Sequence, residues 1–209
     1  MSAARAGIPI VVAAPSGAGK TSVCRGLVDL DDGIEFSVSH TTRSPRKGER
    51  PGVHYHFVDA SEFDRMVAAD EFLEWAEYNG NRYGTSWDAI EGLLASGTDV
   101  LLEIEVQGAR QVRGRLPAAR LAFLVPPSMD VLEERLRGRG TDSDEQIEKR
   151  LAIARTELAA VGEFDYALEN DVLERCVADL GAIVAALRAG DPAPLGDRFD
   201  PAAVAARFR

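Results

Sequence analysis

The chain is 209 residues long, 45% hydrophobic and 28% charged, enough to bury a full core and too short for two large independent domains, so one compact domain with insertions is expected. Lysine and arginine number 24 against 34 aspartates and glutamates, a net charge of −10, which argues against general affinity for nucleic acid or acidic membrane surfaces. Any anion has to be held at a local patch.

First along the chain comes "IPIVVAAPSGAGKTS", residues 8–22. The apolar head has strand length, and "TSVCRGLVDL" after it spaces Val23, Leu27, Val28 and Leu30 along one face of a helix. The apolar stretch has the look of a short export signal, but it runs straight into a phosphate-type loop and no cleavage pattern is needed to explain it. No run approaches the ~18 apolar residues of a membrane span. In the loop, Gly17 and Gly19 let successive backbone N–H groups turn inward around a phosphate, at the positive end of the following helix. Lys20 adds a mobile charge for the outer phosphates, and Thr21 offers a hydroxyl to Mg²⁺. The full pattern, G-x-x-x-x-G-K-[ST], has Ala14 in place of its first glycine. An alanine at negative φ adds only a methyl there. The two cysteines, Cys24 and Cys176, have no paired spacing and read as reduced thiols of a cytosolic protein.

Residues 39–92 differ in character, with short alternating runs "VHYHFV", "FLEWAEY" and "NRYGTS" and turn chemistry at "SPRKGERPG". They read as a small β-rich insertion. Between His40 and His56 it sets Arg43, Arg46, Lys47 and Arg50 against Glu49 alone. Clustered arginines suit bidentate capture of a second phosphate, with Tyr55 as a neutral donor, and a solvated basic turn accounts for the same pattern equally well. His40, His54 and His56 lack a metal-binding arrangement and belong with the strands; Trp75 and Trp87 read as core anchors.

Two further apolar runs, "DVLLEIEV" (99–106) and "RLAFLVPP" (120–127), lie beside helical segments, as parallel strands covered on both faces do. Glu103 and Glu105 emerge near the C-terminal end of the first, where an α/β fold binds ligand, and two carboxylates there lack a packing purpose. The charged stretch 132–158 is helical on either side of "GRGTDSD", where Gly138 and Gly140 break the pattern and Asp142 or Ser143 can cap the next helix. It is either a solvated hairpin or a mobile lid. "VLERCVADLGAIVAALRA" is the C-terminal helix, and residues 190–209 read as a partly disordered surface tail with no assigned function.

Six segments, "SVSHTTRSPR", "HYHF", "FLEWAEYNGNRYGT", "LEIEVQGA", "RGRGTDSDEQIEKRL" and "LEND", stand in the order and approximate spacing of guanylate kinases, and from about Ile8 to Leu187 the chain resembles that family. The resemblance implies an α/β, P-loop three-layer fold with a parallel-sheet core, a small β-rich GMP-binding insertion and a helical lid. It divides a single domain into a core (7–38, 93–131 and 159–189), the insertion (39–92), the lid (132–158) and a tail (190–209). It further implies transfer of a phosphate from MgATP to GMP, and to dGMP with it.

By the same resemblance Ala14, Ser16, Gly17, Ala18, Gly19, Lys20, Thr21, Ser22 and Asn170 match positions around ATP, with Asn170 and Asp171 near the adenine. Ser39, Arg43, Arg46, Tyr55, Glu74, Tyr83, Thr85 and Glu105 match the GMP site. Lys20, Arg139 and Arg150 match the groups that neutralise the migrating phosphoryl, Arg135 more weakly, and Arg43, catalytic with them, orients the acceptor phosphate together with Arg46. Mg²⁺ falls to Thr21, with Glu103 and Glu105 through water; the family commonly has aspartate at the second, and Glu105 is one methylene longer. The chemistry agrees with the match. Guanine presents N1–H and an N2 amino group side by side, so Glu74 can accept from both, whereas adenine would leave that carboxylate unpaired. Ser39 and Thr85 can donate to O6 and N7. Positioning and charge do most of phosphoryl transfer, so no general base is required. The expected setting is the cytoplasm, without nucleic-acid or membrane partners, and the sequence does not disclose an oligomeric state. Two other readings fit the scaffold: a P-loop kinase of ribose bisphosphate, and a guanylate-kinase-like module that binds peptides. Glu74 with Ser39 and Thr85 disfavours the first; Lys20, Thr21 and the lid arginines disfavour the second.

Overall fold

The computed structural model describes residues 5–208 other than 79, 139 and 141. In chain order the elements are β1 (Pro9–Ala13), α1 (Lys20–Val28), β2 (Ile34–Phe36), β3 (His40–Thr41), β4 (His56–Phe57), α2 (Ala60–Ala68), β5 (Phe72–Tyr78), β6 (Asn81–Ser86), α3 (Asp88–Ser96), β7 (Asp99–Glu103), α4 (Val106–Arg115), β8 (Arg120–Val125), α5 (Met129–Arg137), α6 (Asp144–Leu158), β9 (Tyr166–Glu169), α7 (Leu173–Ala189) and α8 (Pro201–Ala205). They gather into two compact units, the first from the residues up to Ile10 with Gly33–Ala119, the second from Val11–Asp32 with the residues from Arg120 onward. Strand β1 gives residues to both.

In the first unit β2 pairs in parallel with β7, from Ile34 opposite Asp99 to Phe36 opposite Leu101. The Val100 N–H donates to Ile8 O at 3.0 Å, and Ile8 N donates to the buried Asp99 carboxylate at 2.7 Å. A four-stranded sheet in the order β4-β3-β6-β5 makes the rest. Its β5–β6 pairing slips between Phe72, opposite Ser86, and Glu74, opposite Thr85. Side chains two apart on a strand share a face, but this bulge at Leu73 sends Phe72 and Glu74 to opposite faces. Phe72 stacks on Phe63 of α2 at 4.5 Å, and all three of Phe72, Leu73 and Glu74 are buried. Helix α2 stands within the stretch expected to be β-rich: Asp59 caps it through Glu62 N, and Phe63 and Met66 form its buried face. The tryptophans correct an expectation. Trp75 is 36% exposed and Trp87 half-buried beneath Arg115, because phenylalanines fill the core of this sheet.

In the second unit the rest of β1 neighbours β8, and β8 pairs in parallel with β9, from Ala122 opposite Tyr166 to Val125 opposite Glu169. Helix α1 lies close against α7 at Gly26, where a Cβ would meet Val177 at 2.8 Å. The hairpin of α5 and α6 has its own apolar seam of Leu132, Leu136, Ile147, Leu151 and Ala154. Ser143 caps α6 in a reciprocal box with Gln146, one of the two caps expected. The tail departs from expectation: Phe199 is buried, the Ala167 N–H donates to its carbonyl at 2.9 Å, and Arg207 donates to Pro127 O at 3.1 Å and pairs with Glu169. Burial of the apolar Phe199 side chain favours the packed arrangement. No described helix is long and apolar enough to cross a membrane.

Candidate active site

The phosphate loop belongs to the second unit. Strand β1 is buried along its length and delivers the chain to a loop in which Gly17 and Gly19 take φ of 94° and 91°. These left-handed values favour glycine. Ala14 is buried and keeps a negative φ, since Asp70 is the one non-glycine with positive φ among the described residues. No side chain caps α1 and no acid lies in its first turn, the arrangement of a helix N-terminus that suits an anion. Lys20 and Thr21 open that helix, Lys20 half-buried and Thr21 exposed, with Ser22 exposed beside them.

The loop is braced by residues far along the chain. Asn170 is buried and its Nδ2 donates to Ala18 O at 2.7 Å. Its own carbonyl accepts from Arg135 at 2.8 Å. The side chain expected near adenine is therefore occupied in holding the phosphate loop. A Cβ on Gly19 would stand 2.4 Å from that Nδ2, and one on Gly17 would stand 2.9 Å from Leu136 of α5. Arg150 donates to Ser16 Oγ at 2.6 Å and pairs with Asp142, which brings one of the two arginines expected to contact phosphate to the loop. Arg137 pairs instead with Glu133 and Asp144. Arg139 lies outside the described residues.

The first unit holds a cavity of about 220 Å³ lined by Ser39, Tyr55, Glu74, Tyr83, Glu103, Glu105 and Gly108, among others. Burying a carboxylate demands donors in place of water. Glu74, 4% exposed, accepts on Oε1 from Thr85 N at 2.9 Å and Thr85 Oγ1 at 2.7 Å. Thr85 Oγ1 lies 3.2 Å from Ser39 Oγ, so the three expected base-reading residues form one hydrogen-bonded set. Glu103 ends β7 and Glu105 is the N-terminal flank of α4; the helix begins where the apolar run 99–106 suggested more strand. Tyr55 has its pKa raised, by burial first and then by the charge of Glu103.

The basic turn is ordered by its one acid. Glu49 takes both nitrogens of the Arg43 fork, at 3.0 and 2.8 Å, and the Arg46 N–H at 2.7 Å. These donors, Arg43 above all, hold the Glu49 carboxyl down at about 2. Arg43 lies 5.5 Å from the Tyr55 ring centroid with Tyr83 as a further hydrogen-bond partner. The Arg46 residue is exposed.

Glu49, Gly84, Gly108 and Gln111 join the site although no motif singles them out. A Cβ on Gly84 would meet Phe72 at 2.8 Å and Trp75 at 2.9 Å, and one on Gly108 would meet Glu74 Oε2 at 2.5 Å. Gly84 carried a signal, a glycine inside a strand pattern.

A parallel-sheet fold whose first strand runs into this phosphate loop defines a P-loop nucleotide-binding protein. Among protein-family models, that of guanylate kinase matches residues 6–187. The guanylate kinase of Dechloromonas aromatica is 54% identical over 181 residues, covering 87% of this chain and 90% of that protein. The guanylate kinase of Neisseria gonorrhoeae is 51% identical over 188 residues, 90% of this chain and 92% of that protein. Among solved structures, guanylate kinase from Anaplasma phagocytophilum superposes with a TM-score of 0.71 at 31% identity, covering 87% of this chain and 86% of that one. The chain belongs to the guanylate kinase family.

Proposed function

We propose that the protein transfers the γ-phosphate of ATP to GMP, and to dGMP with it, giving ADP and the nucleoside diphosphate in the cytoplasm. The observation that carries this reading is the buried Glu74 carboxylate, held by Thr85 beside Ser39 in a cavity of the first unit. The adjacent N1–H and N2 donors of guanine complement it, and a base without that donor pair would leave the charge buried and unmatched.

Arg43, oriented by Glu49, would take the GMP phosphate with Tyr55, Tyr83 and Arg46, while Glu105 would contact the base side of the cavity. Gly17, Ala18 and Gly19 would wrap the ATP phosphates, with Ala14, Ser16 and Ser22 completing the loop, and Asn170 would serve ATP by bracing Ala18. Lys20 and Arg150 would neutralise the migrating phosphoryl, and Arg139 joins them by its position in the lid motif. Thr21, an exposed hydroxyl in the first turn of α1, is a hard oxygen donor of the kind Mg²⁺ takes alongside nucleotide phosphates. The ion would supply further charge neutralisation. Residues 39–92 then act as the GMP-binding insertion and 132–158 as the lid.

The test is ADP formation from MgATP with GMP, AMP, CMP, UMP or ribose bisphosphate as acceptor. Turnover is expected with GMP alone. Lys20→Ala should abolish it, and Glu74→Ala should lower it about a hundredfold, the order of a buried charged hydrogen-bond set. Equal turnover on AMP, or a folded protein inert with every acceptor, would refute the proposal.

A further inference from the structure

β5 is the last strand of its sheet, in the order β4-β3-β6-β5, and an outer strand presents backbone groups that no strand pairs. At Trp75, next to Glu74, a side chain takes the place of a strand. Gln111 of α4 accepts from the Trp75 N–H with Oε1 at 3.1 Å and donates from Nε2 to the Trp75 carbonyl at 2.7 Å. A primary amide has one acceptor and one donor side by side and can copy the pairing of a peptide group.

Three residues earlier on α4, on the same helical face, stands Gly108. A Cβ there would lie 2.5 Å from Glu74 Oε2, so helix and carboxylate are in direct apposition. Thr85 fixes one oxygen of Glu74 from β6. The helix bounds the other, and Gln111 fixes the register of β5 against that helix. We infer that Gln111, acting through the backbone of Trp75 with Gly108 as the close-approach point, is a positioning residue that sets how selectively Glu74 reads the N2 amino group of a guanine base.

The inference rests on the proposed GMP reading. Two-point acceptance requires both carboxylate oxygens in place, and a base offering only N1–H tolerates a displaced Oε2. Hypoxanthine is guanine without the N2 amino group, which makes IMP the discriminating probe. Gln111 is a half-buried helix residue outside the apolar core, so Gln111→Ala is expected to fold.

The experiment measures dissociation constants of GMP and IMP by calorimetry, the KM for ATP, and the melting temperature, for the native protein and Gln111→Ala. GMP affinity is expected to fall about tenfold, the size of two neutral hydrogen bonds, and IMP affinity less than threefold, with the KM for ATP unchanged. Gly108→Ala, which moves the carboxylate without touching the Trp75 hydrogen bonds, should erode the same preference. Equal losses for GMP and IMP, or a Gln111→Ala protein that keeps its full preference, would overturn the inference while leaving the kinase reading intact. A native protein without preference for GMP over IMP would overturn both.

Discussion

The contact between Asn170 and the phosphate loop yields a double-mutant cycle whose outcome follows from geometry. Asn170→Ala removes the 2.7 Å bond to the carbonyl of Ala18, a fully buried residue, and stripping a buried acceptor of its partner costs about 1–3 kcal/mol. Gly19→Ala puts a β-carbon on a residue at φ 91°, about 1–2 kcal/mol of left-handed strain. It also drives that carbon to 2.4 Å from Asn170 Nδ2, which forces the amide off Ala18 and incurs the first cost again. In the double variant the amide is already gone and the new methyl occupies its space. Only the strain and one lost bond are then counted, so the double variant should be less destabilised than the sum of the singles by about 1–3 kcal/mol. Urea unfolding of the four proteins measures this directly. Because a domain of this size loses about 2–4 °C per kcal/mol, melting temperatures should show it as well. Distant, independent sites add within about 0.5 kcal/mol; additivity of that quality would refute the brace.

Two further predictions concern the basic turn and the tail. Glu49 is held at about 2 by Arg43 and the Arg46 N–H, below the ~4.3 of an unfolded chain, so its stabilisation is complete above the unfolded value and is lost as pH falls toward 2. The stability gap between the native protein and Glu49→Gln should therefore narrow in urea titrations from pH 5 down to pH 2.5, and a gap independent of pH would contradict the pairing. Phe199 is 4% exposed in a segment beyond the family match at 6–187. Phe199→Ala should cost about 3–5 kcal/mol and lower the melting temperature by about 6–20 °C, whereas a change under about 2 °C would mean that the tail does not pack in solution.

What the sequence disclosed divides along physical lines. Local signals were legible: the apolar run ending in glycines gave β1, the loop and α1; Ser143 gave the start of α6; and the helix read over 172–189 spans Leu173–Ala189. Glu74, Thr85 and Ser39 were grouped through the family likeness, and they do meet. The bulge at Leu73 was not legible, because two adjacent apolar residues before Glu74 fit either a slipped register or a fully buried strand. Asn170 and Ala18 are 152 residues apart and Gln111 and Trp75 are 36 apart; no periodicity in one chain records such pairs. Trp75 misled because its size suggests a core, while its place after the bulge sets it at the sheet's edge.

The way the chain is shared between the two units also bears on its synthesis. Val11–Asp32, phosphate loop included, is made early, but the rest of its unit begins at Arg120, after the whole of Gly33–Ala119 has been translated. At about 5–20 residues per second, β1, a strand with no exposed residue, waits on the order of ten seconds for β8 and β9. During that interval β1 lacks its neighbour β8. No single cut of the chain releases either unit whole, so the smallest piece of this protein able to close its nucleotide loop is nearly all of it.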